Sequence, residues 1–299
     1  MDTMEFQFFV ELVTNGVLTG LMYALVAVGF VLIYKSTDAI NFAQGEFCMI
    51  AAIVVAGFIK LYGFPVWAAI GVGLVFMLVF NWGLERVVLR PMIGRPVVAI
   101  IMATIGLALM FRGLGPLIFG AETRPIPLPV SDAPIIWGPF FMAPIDVLGA
   151  AISLSFMAVF GWFFMKSRKG VAMRAVADSH QVSMAMGINV ERYFVLAWML
   201  AGFVALLGGL VWGSAIGVDT QLAALGLKVF PVVILGGLDS IVGVIVGGVI
   251  IGVVEAISAG YIDPYVGGGT KDFTPYVLMI LVLMVRPYGI FGKPIIERI

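Results

Sequence analysis

The sequence predicts an all-α polytopic membrane protein, a bundle of about eight transmembrane helices that includes short or broken ones. Three observations carry this. Of the 299 residues, 62% are hydrophobic and only 11% charged, against roughly a quarter charged in an ordinary soluble domain. Mean hydropathy is +1.13. Charge-free runs dense in Leu, Val, Ile, Ala and Gly recur along the chain, without the alternation of period two that a membrane barrel requires. Disorder, a coiled coil and a disulfide scaffold are excluded. The single cysteine, Cys48, has no partner for an intrachain bridge. A net charge of zero argues against nucleic acid as a partner.

In chain order, the acidic start (Asp2, Glu5, Glu11) is unlike a basic secretory signal. The run 12–34 is long enough to span a bilayer as a helix. The run 47–59 is short and borrows 41–46 to complete a span. Runs 61–84, 96–111, 147–165 and 193–218 follow. Then 229–238 and 240–254 flank Asp239, and 273–285 is last. This makes seven or eight spans plus a Gly-rich segment, 226–254. As one helix that segment measures about 43 Å at 1.5 Å per residue, more than the roughly 30 Å hydrocarbon core. Gly236-Gly237 disfavour helix continuation, and Asp239 or Ser240 is suited to cap a new start. Two short helices meeting at 236–240 are therefore expected, with the break against protein or a water-filled cavity.

Basic residues set the orientation. Lys35, Arg86, Arg90, Arg95, Lys166, Arg168, Lys169, Arg174, Arg192, Arg286, Lys293 and Arg298 cluster in segments that share one side if the N-terminus lies outside. That places 12 of the 17 basic residues in the cytoplasm. Charge parity then requires 226–254 to re-enter from the outer side or to cross twice. The 112–146 loop falls outside. It holds seven of the 15 prolines (Pro116, Pro125, Pro127, Pro129, Pro134, Pro139, Pro144) and is expected to be extended or turn-rich. The 166–192 loop falls inside. There Met173, Val176, Ala177, His180 and Met184 mark one face of a single short helix ending near Gly187.

No G-x-x-x-x-G-K-[ST] or G-x-S-x-G motif occurs. The only histidine, His180, reads as an exposed helix residue or, less simply, a pH sensor. Polar residues near the spans are more informative, since polar groups in lipid face a bundle interior or a cavity. Asn15, Thr19 and Tyr23 share one side of the first helix and either bond to a neighbouring helix or line a pathway. Asn41, Gln44 and Glu46 stand where the second span begins, as caps or as pathway groups. Gly243, Gly247, Gly248 and Gly252 form overlapping small-xxx-small patterns for close helix contact, as do Gly202, Gly208, Gly209 and Gly213.

Tyr23-Ala24-Leu25-Val26-Ala27-Val28-Gly29, followed by Ile40-Asn41-Phe42-Ala43-Gln44-Gly45-Glu46, resembles the branched-chain amino acid ABC transporter permeases of the LivH type. So do Arg174-Ala175-Val176-Ala177 through Ala185-Met186-Gly187-Ile188-Asn189, Val233-Ile234-Leu235-Gly236-Gly237-Leu238-Asp239-Ser240, and Val285-Arg286-Pro287-Tyr288-Gly289-Ile290-Phe291-Gly292. Order and spacing match over essentially the whole chain, with Asp239 a local difference. The resemblance implies ABC importer permease architecture over a single permease domain, 1–299, in a bacterial inner membrane. It implies a paralogous permease, two ATPase subunits and a periplasmic substrate-binding protein as partners, besides membrane lipid. ATP and Mg would be used by the partners, with no cofactor on this chain and no enzyme activity of its own. Coupling would run through Met173, Arg174, Val176, Ala177, Asp178, His180, Met184 and Gly187. The pathway would draw on Asn15, Thr19, Tyr23, Asn41, Gln44, Glu46, Asp239 and Ser240. The alternatives are the same architecture carrying urea, short amides or organic acids, and a stand-alone secondary transporter or channel.

Overall fold

The structure is a computed structural model that describes residues 3–37, 39–92, 95–120, 122–131, 133–138 and 140–292. Asp2, Pro139, Lys293 and Arg298, used above, lie outside these. Among the described residues, twelve α-helices follow in order: α1 (Thr3–Thr37), α2 (Gln44–Tyr62), α3 (Val66–Leu84), α4 (Val97–Phe119), α5 (Pro144–Lys166), α6 (Arg168–Asp178), α7 (His180–Ala185), α8 (Val190–Ala215), α9 (Leu225–Gly236), α10 (Ile241–Tyr261), α11 (Asp263–Val266) and α12 (Thr270–Val285). A small antiparallel hairpin, β1 (Ile135–Trp137) and β2 (Phe140–Met142), sits between α4 and α5. Among the described residues, seven helices are long and apolar enough to cross a membrane: α1, α2, α3 with its continuation to Met92, α4, α5, α8 and α10. The protein is a multi-pass helical membrane protein.

Helix boundaries follow from local chemistry. Pro65 and Pro96 stand at the starts of α3 and α4, where a missing N–H costs nothing. Gly63, at φ +67°, ends α2, with its N–H on Ile59 O and the Phe64 N–H on Phe58 O. Ser167, Ser179, Asn189 and Ser240 cap α6, α7, α8 and α10 through their side-chain oxygens. Two expectations change. Residues 112–119 belong to α4, with Pro116 inside it, so the extended part of the 112–146 segment begins after Gly120. The single amphipathic helix expected in 166–192 is two, because the Ser179 backbone is extended (φ −164°, ψ 116°) and its hydroxyl starts α7 afresh.

The chain forms two compact units. One comprises Met1–Ala27, Pro129–Leu154 and Lys228–Ile299. In it, α10 turns two glycine faces to two helices. Gly248 and Gly252 lie against Gly20 and Gly16 of α1, where an added Cβ on any of the four would strike facing backbone. Gly243 and Gly247 lie against Gly236 and Val232 of α9 in the same way. Contact this close is what small-xxx-small patterns permit. The pairings show that α10 runs antiparallel to both α1 and α9. The break expected at 236–240 is present: α9 ends at Gly236, Gly237 takes φ +103°, and Ser240 Oγ accepts from Gly243 N at 2.9 Å. The chain thus reverses direction at 236–240. The segment after α12 returns here, with Ile290 N on Leu235 O (2.8 Å). Between α10 and α12, Asp263 accepts from both the hydroxyl and the amide of Thr270. These bonds, the side-chain one foremost, hold its carboxyl below the usual range.

The other unit comprises Val28–Leu128 and Ser155–Leu227. Its centre is α2, buried from Gln44 to Gly57 and packed by α3, α4 and α8. Phe47 anchors the middle, edge-on to Phe80 and Trp198. Gly209 admits the backbone of Cys48, and Gly45 that of Ala223 and Gly226.

Candidate functional site

Three groups of polar residues stand out, each within one unit. The first lies at the start of α2. Asn41 Oδ1 accepts from Ala43 N (3.1 Å), and Asn41 Nδ2 donates to Gln44 Oε1 (3.4 Å). Gln44 Nε2 donates to the Ala201 carbonyl (3.4 Å). Glu46 meets Arg112 Nη2 at 2.6 Å. Arg112, read from sequence as the first residue of an external loop, is therefore a helical residue of α4 paired to a buried carboxylate. Asn41, Gln44 and Glu46 are buried, and their polar atoms are turned to backbone, to one another or to a counter-charge. None of the three side chains caps α2, whose N-cap is Ala43.

The second group joins α1 and α10. The Tyr23 hydroxyl donates to Glu255 Oε2 at 3.0 Å, both residues being buried. Long helix side chains lean toward their own N-terminus. In an antiparallel pair they lean toward each other, which is how residues on different turns meet. Asn15, two turns earlier, donates to the Phe141 carbonyl of β2 (3.2 Å), and Thr19 is half-buried. Glu255 went unnoticed in the sequence because it falls one residue beyond an apolar run. The available signal was its spacing: Gly248, Gly252 and Glu255 stand at i, i+4 and i+7, one helix face. Asp239 and Ser240 stand at the α9–α10 break, where Ser240 is the cap.

The third group is the 166–192 segment. Met173 and Val176 are 6% and 1% exposed, so they face inward. Arg174 donates to the Met165 carbonyl (3.2 Å). Ala177 is half-buried, and Asp178 ends α6 in an exposed position. Met184, expected on the face of Met173, is 58% exposed, because the break at Ser179 takes it off that face. With Val182 (62%) and Met186 (77%), the residue that follows α7, it forms an apolar tip. Gly187, at φ +78°, follows as the left-handed residue. His180 is half-buried, not exposed. Its Nε2 lies 3.0 Å from the Ser36 carbonyl, which can only accept, and its ring meets Phe194 edge-on. The histidine ties α7 to α1 and α8. Among the described residues, no group of three or more His, Cys, Asp or Glu is placed to hold a metal ion.

Family similarity defines this multi-pass helical bundle, with its buried polar pairs between helices and the exposed apolar residues at α7, as a membrane permease. The chain belongs to the family described as branched-chain amino acid transport system / permease component, whose model matches residues 12–283. It is 30% identical over 309 residues to the high-affinity branched-chain amino acid transport system permease protein LivH of Salmonella typhimurium, covering 99% of each chain. It is 30% identical over 315 residues to the corresponding permease protein BraD of Pseudomonas aeruginosa, again over 99% of each. Among solved structures, PsaBC from Streptococcus pneumoniae, in complex with Fab, shares the fold at a TM-score of 0.51 and 13% identity, with 93% of both chains covered.

Proposed function

We propose that this chain is the transmembrane permease subunit of an ABC importer for branched-chain or related amino acids. It pairs with a paralogous permease to form the path. Two separate ATPase subunits, using ATP and Mg, drive the cycle, and a periplasmic binding protein delivers cargo. The membrane is the bacterial inner membrane, with the N-terminus and 112–146 outside and 166–192 inside. The observation that carries the reading is the full-length similarity to LivH and BraD.

The coupling element consists of α6 and α7 together. Its docking surface is the tip formed by Val182, Met184 and Met186, where apolar side chains exposed outside the membrane fit a protein partner. Met173 and Val176 serve that tip from beneath by anchoring α6. Closure of the ATPase dimer moves α7, and His180 passes the displacement to the end of α1 through Ser36.

The test is uptake into proteoliposomes holding this chain, its paralogue, both ATPases and the binding protein. ATP-dependent leucine accumulation is expected, with urea, acetamide and benzoate as poor competitors. Leucine uptake by this chain alone, without ATP, would replace the reading with a stand-alone transporter.

A further inference from the structure

A cavity of about 210 Å³ lies in the unit built around α2, below the roughly 300–1,000 Å³ of sites that hold drug-sized ligands. Leu89, Ile100, Phe194 and Trp198 make its apolar wall; Glu85, Arg90, Arg95 and His180 make its polar side. The helix after α3 changes pitch here. Residues Glu85–Leu89 form a π-helical turn, in which Arg90 N bonds to Glu85 O. That pitch stacks side chains five apart, so Arg90 grips buried Glu85 with two nitrogens at 3.3 and 3.2 Å. Its remaining nitrogen meets Glu191 at 3.0 Å. Such π turns are frequent at functional sites.

Arg90 is therefore satisfied, and the Glu85 charge is spent on it. Arg95 differs: its guanidinium has no hydrogen bond or ion pair among the described residues. The cavity thus combines one unspent positive charge, an apolar wall and a volume suited to a compact metabolite.

We propose that this cavity binds a small aliphatic carboxylate, its anionic head on Arg95 and its chain against Leu89, Ile100 and Trp198. Charge-assisted, bidentate recognition of carboxylates is what a free guanidinium does best. A nucleotide is too large, and a neutral aliphatic molecule leaves Arg95 unanswered. Resting on the importer reading, the consequence is regulatory. His180 lines the cavity and begins α7, so a bound acid on the ATPase side restrains α7 and slows import.

The test uses the full-length chain in lipid nanodiscs, with isocaproate as the probe and isohexanol as its neutral twin. Saturable binding of isocaproate by calorimetry is expected. Arg95→Gln should weaken it about tenfold or more, the loss of one charge-assisted pair, and Ile100→Trp should weaken it by filling the cavity. Arg95→Lys should retain part of it. Absence of isocaproate binding, equal binding of isohexanol, or unchanged affinity in Arg95→Gln with a normal melting profile overturns the site. In the reconstituted importer, isocaproate on the ATP side should lower the initial leucine rate, and Arg95→Gln should relieve this. An unaffected rate overturns the regulatory step. The nanodisc measurement needs no transport, so its failure leaves the importer reading standing.

Discussion

Tyr23 and Glu255 lie 232 residues apart in sequence and share one hydrogen bond of 3.0 Å, from the tyrosine hydroxyl to Oε2 of the carboxyl group. Its second oxygen, Oε1, is buried without a hydrogen-bond partner among the described residues. Tyr23→Phe should therefore cost about 1–3 kcal/mol, the penalty for stranding a buried polar group. Glu255→Gln keeps an acceptor for the tyrosine and should cost less. Thermal melts of the purified chain decide. Equal stability of Tyr23→Phe and the unmodified protein would show that the bond contributes nothing.

The antiparallel contact of α1 with α10 depends on the absence of Cβ atoms. Gly20→Ala places a methyl group against the Gly248 backbone and should destabilise by about 1–3 kcal/mol, the usual range for overpacking. Gly71→Ala, with nothing near its added carbon, is the matched control. A Gly20→Ala melt indistinguishable from that of Gly71→Ala would mean the helices separate easily.

Docking and folding are separable within 166–192. Met184→Asp should leave the melting profile intact and abolish ATP-driven uptake, since Met184 is exposed. Val176→Asp buries a charge and should lower yield and stability before any coupling is measured. The reverse pattern would move the docking face back to α6.

At the α9–α10 break, Ser240→Ala removes a cap and should cost about 1 kcal/mol. Gly237→Ala should cost more, because φ +103° disfavours a side chain and the added carbon meets the Gly292 backbone. Hydrogen exchange over 237–245 should quicken in both, most in Gly237→Ala. Unchanged exchange in both would show that neither residue holds the break.

Sidedness is checked with a cysteine at exposed Ser131 in a Cys48→Ser background, Cys48 being buried. An impermeant maleimide added to intact spheroplasts should label it. Labelling only after lysis would invert the topology.

Runs of apolar residues sufficed to place the long helices, because a segment without charges in lipid has few choices but to satisfy its backbone as a helix. The break at 236–240 was equally legible, since Gly-Gly followed by Asp-Ser carries its own stop and start. The 112–146 boundary was not, because α4 tolerates Arg112 and Pro116, and hydropathy cannot foresee that Glu46 neutralises the arginine. Nor was the division of 166–192: the same periodicity fits one helix or two, and the capping hydroxyl of Ser179 decides. The deepest omission was pairing. Composition says which residues prefer to leave lipid, but each partner lies far along the chain: Tyr23 with Glu255, Gly20 with Gly248, His180 with Ser36. Only packing brings them within reach, so their meaning resides in the tertiary structure.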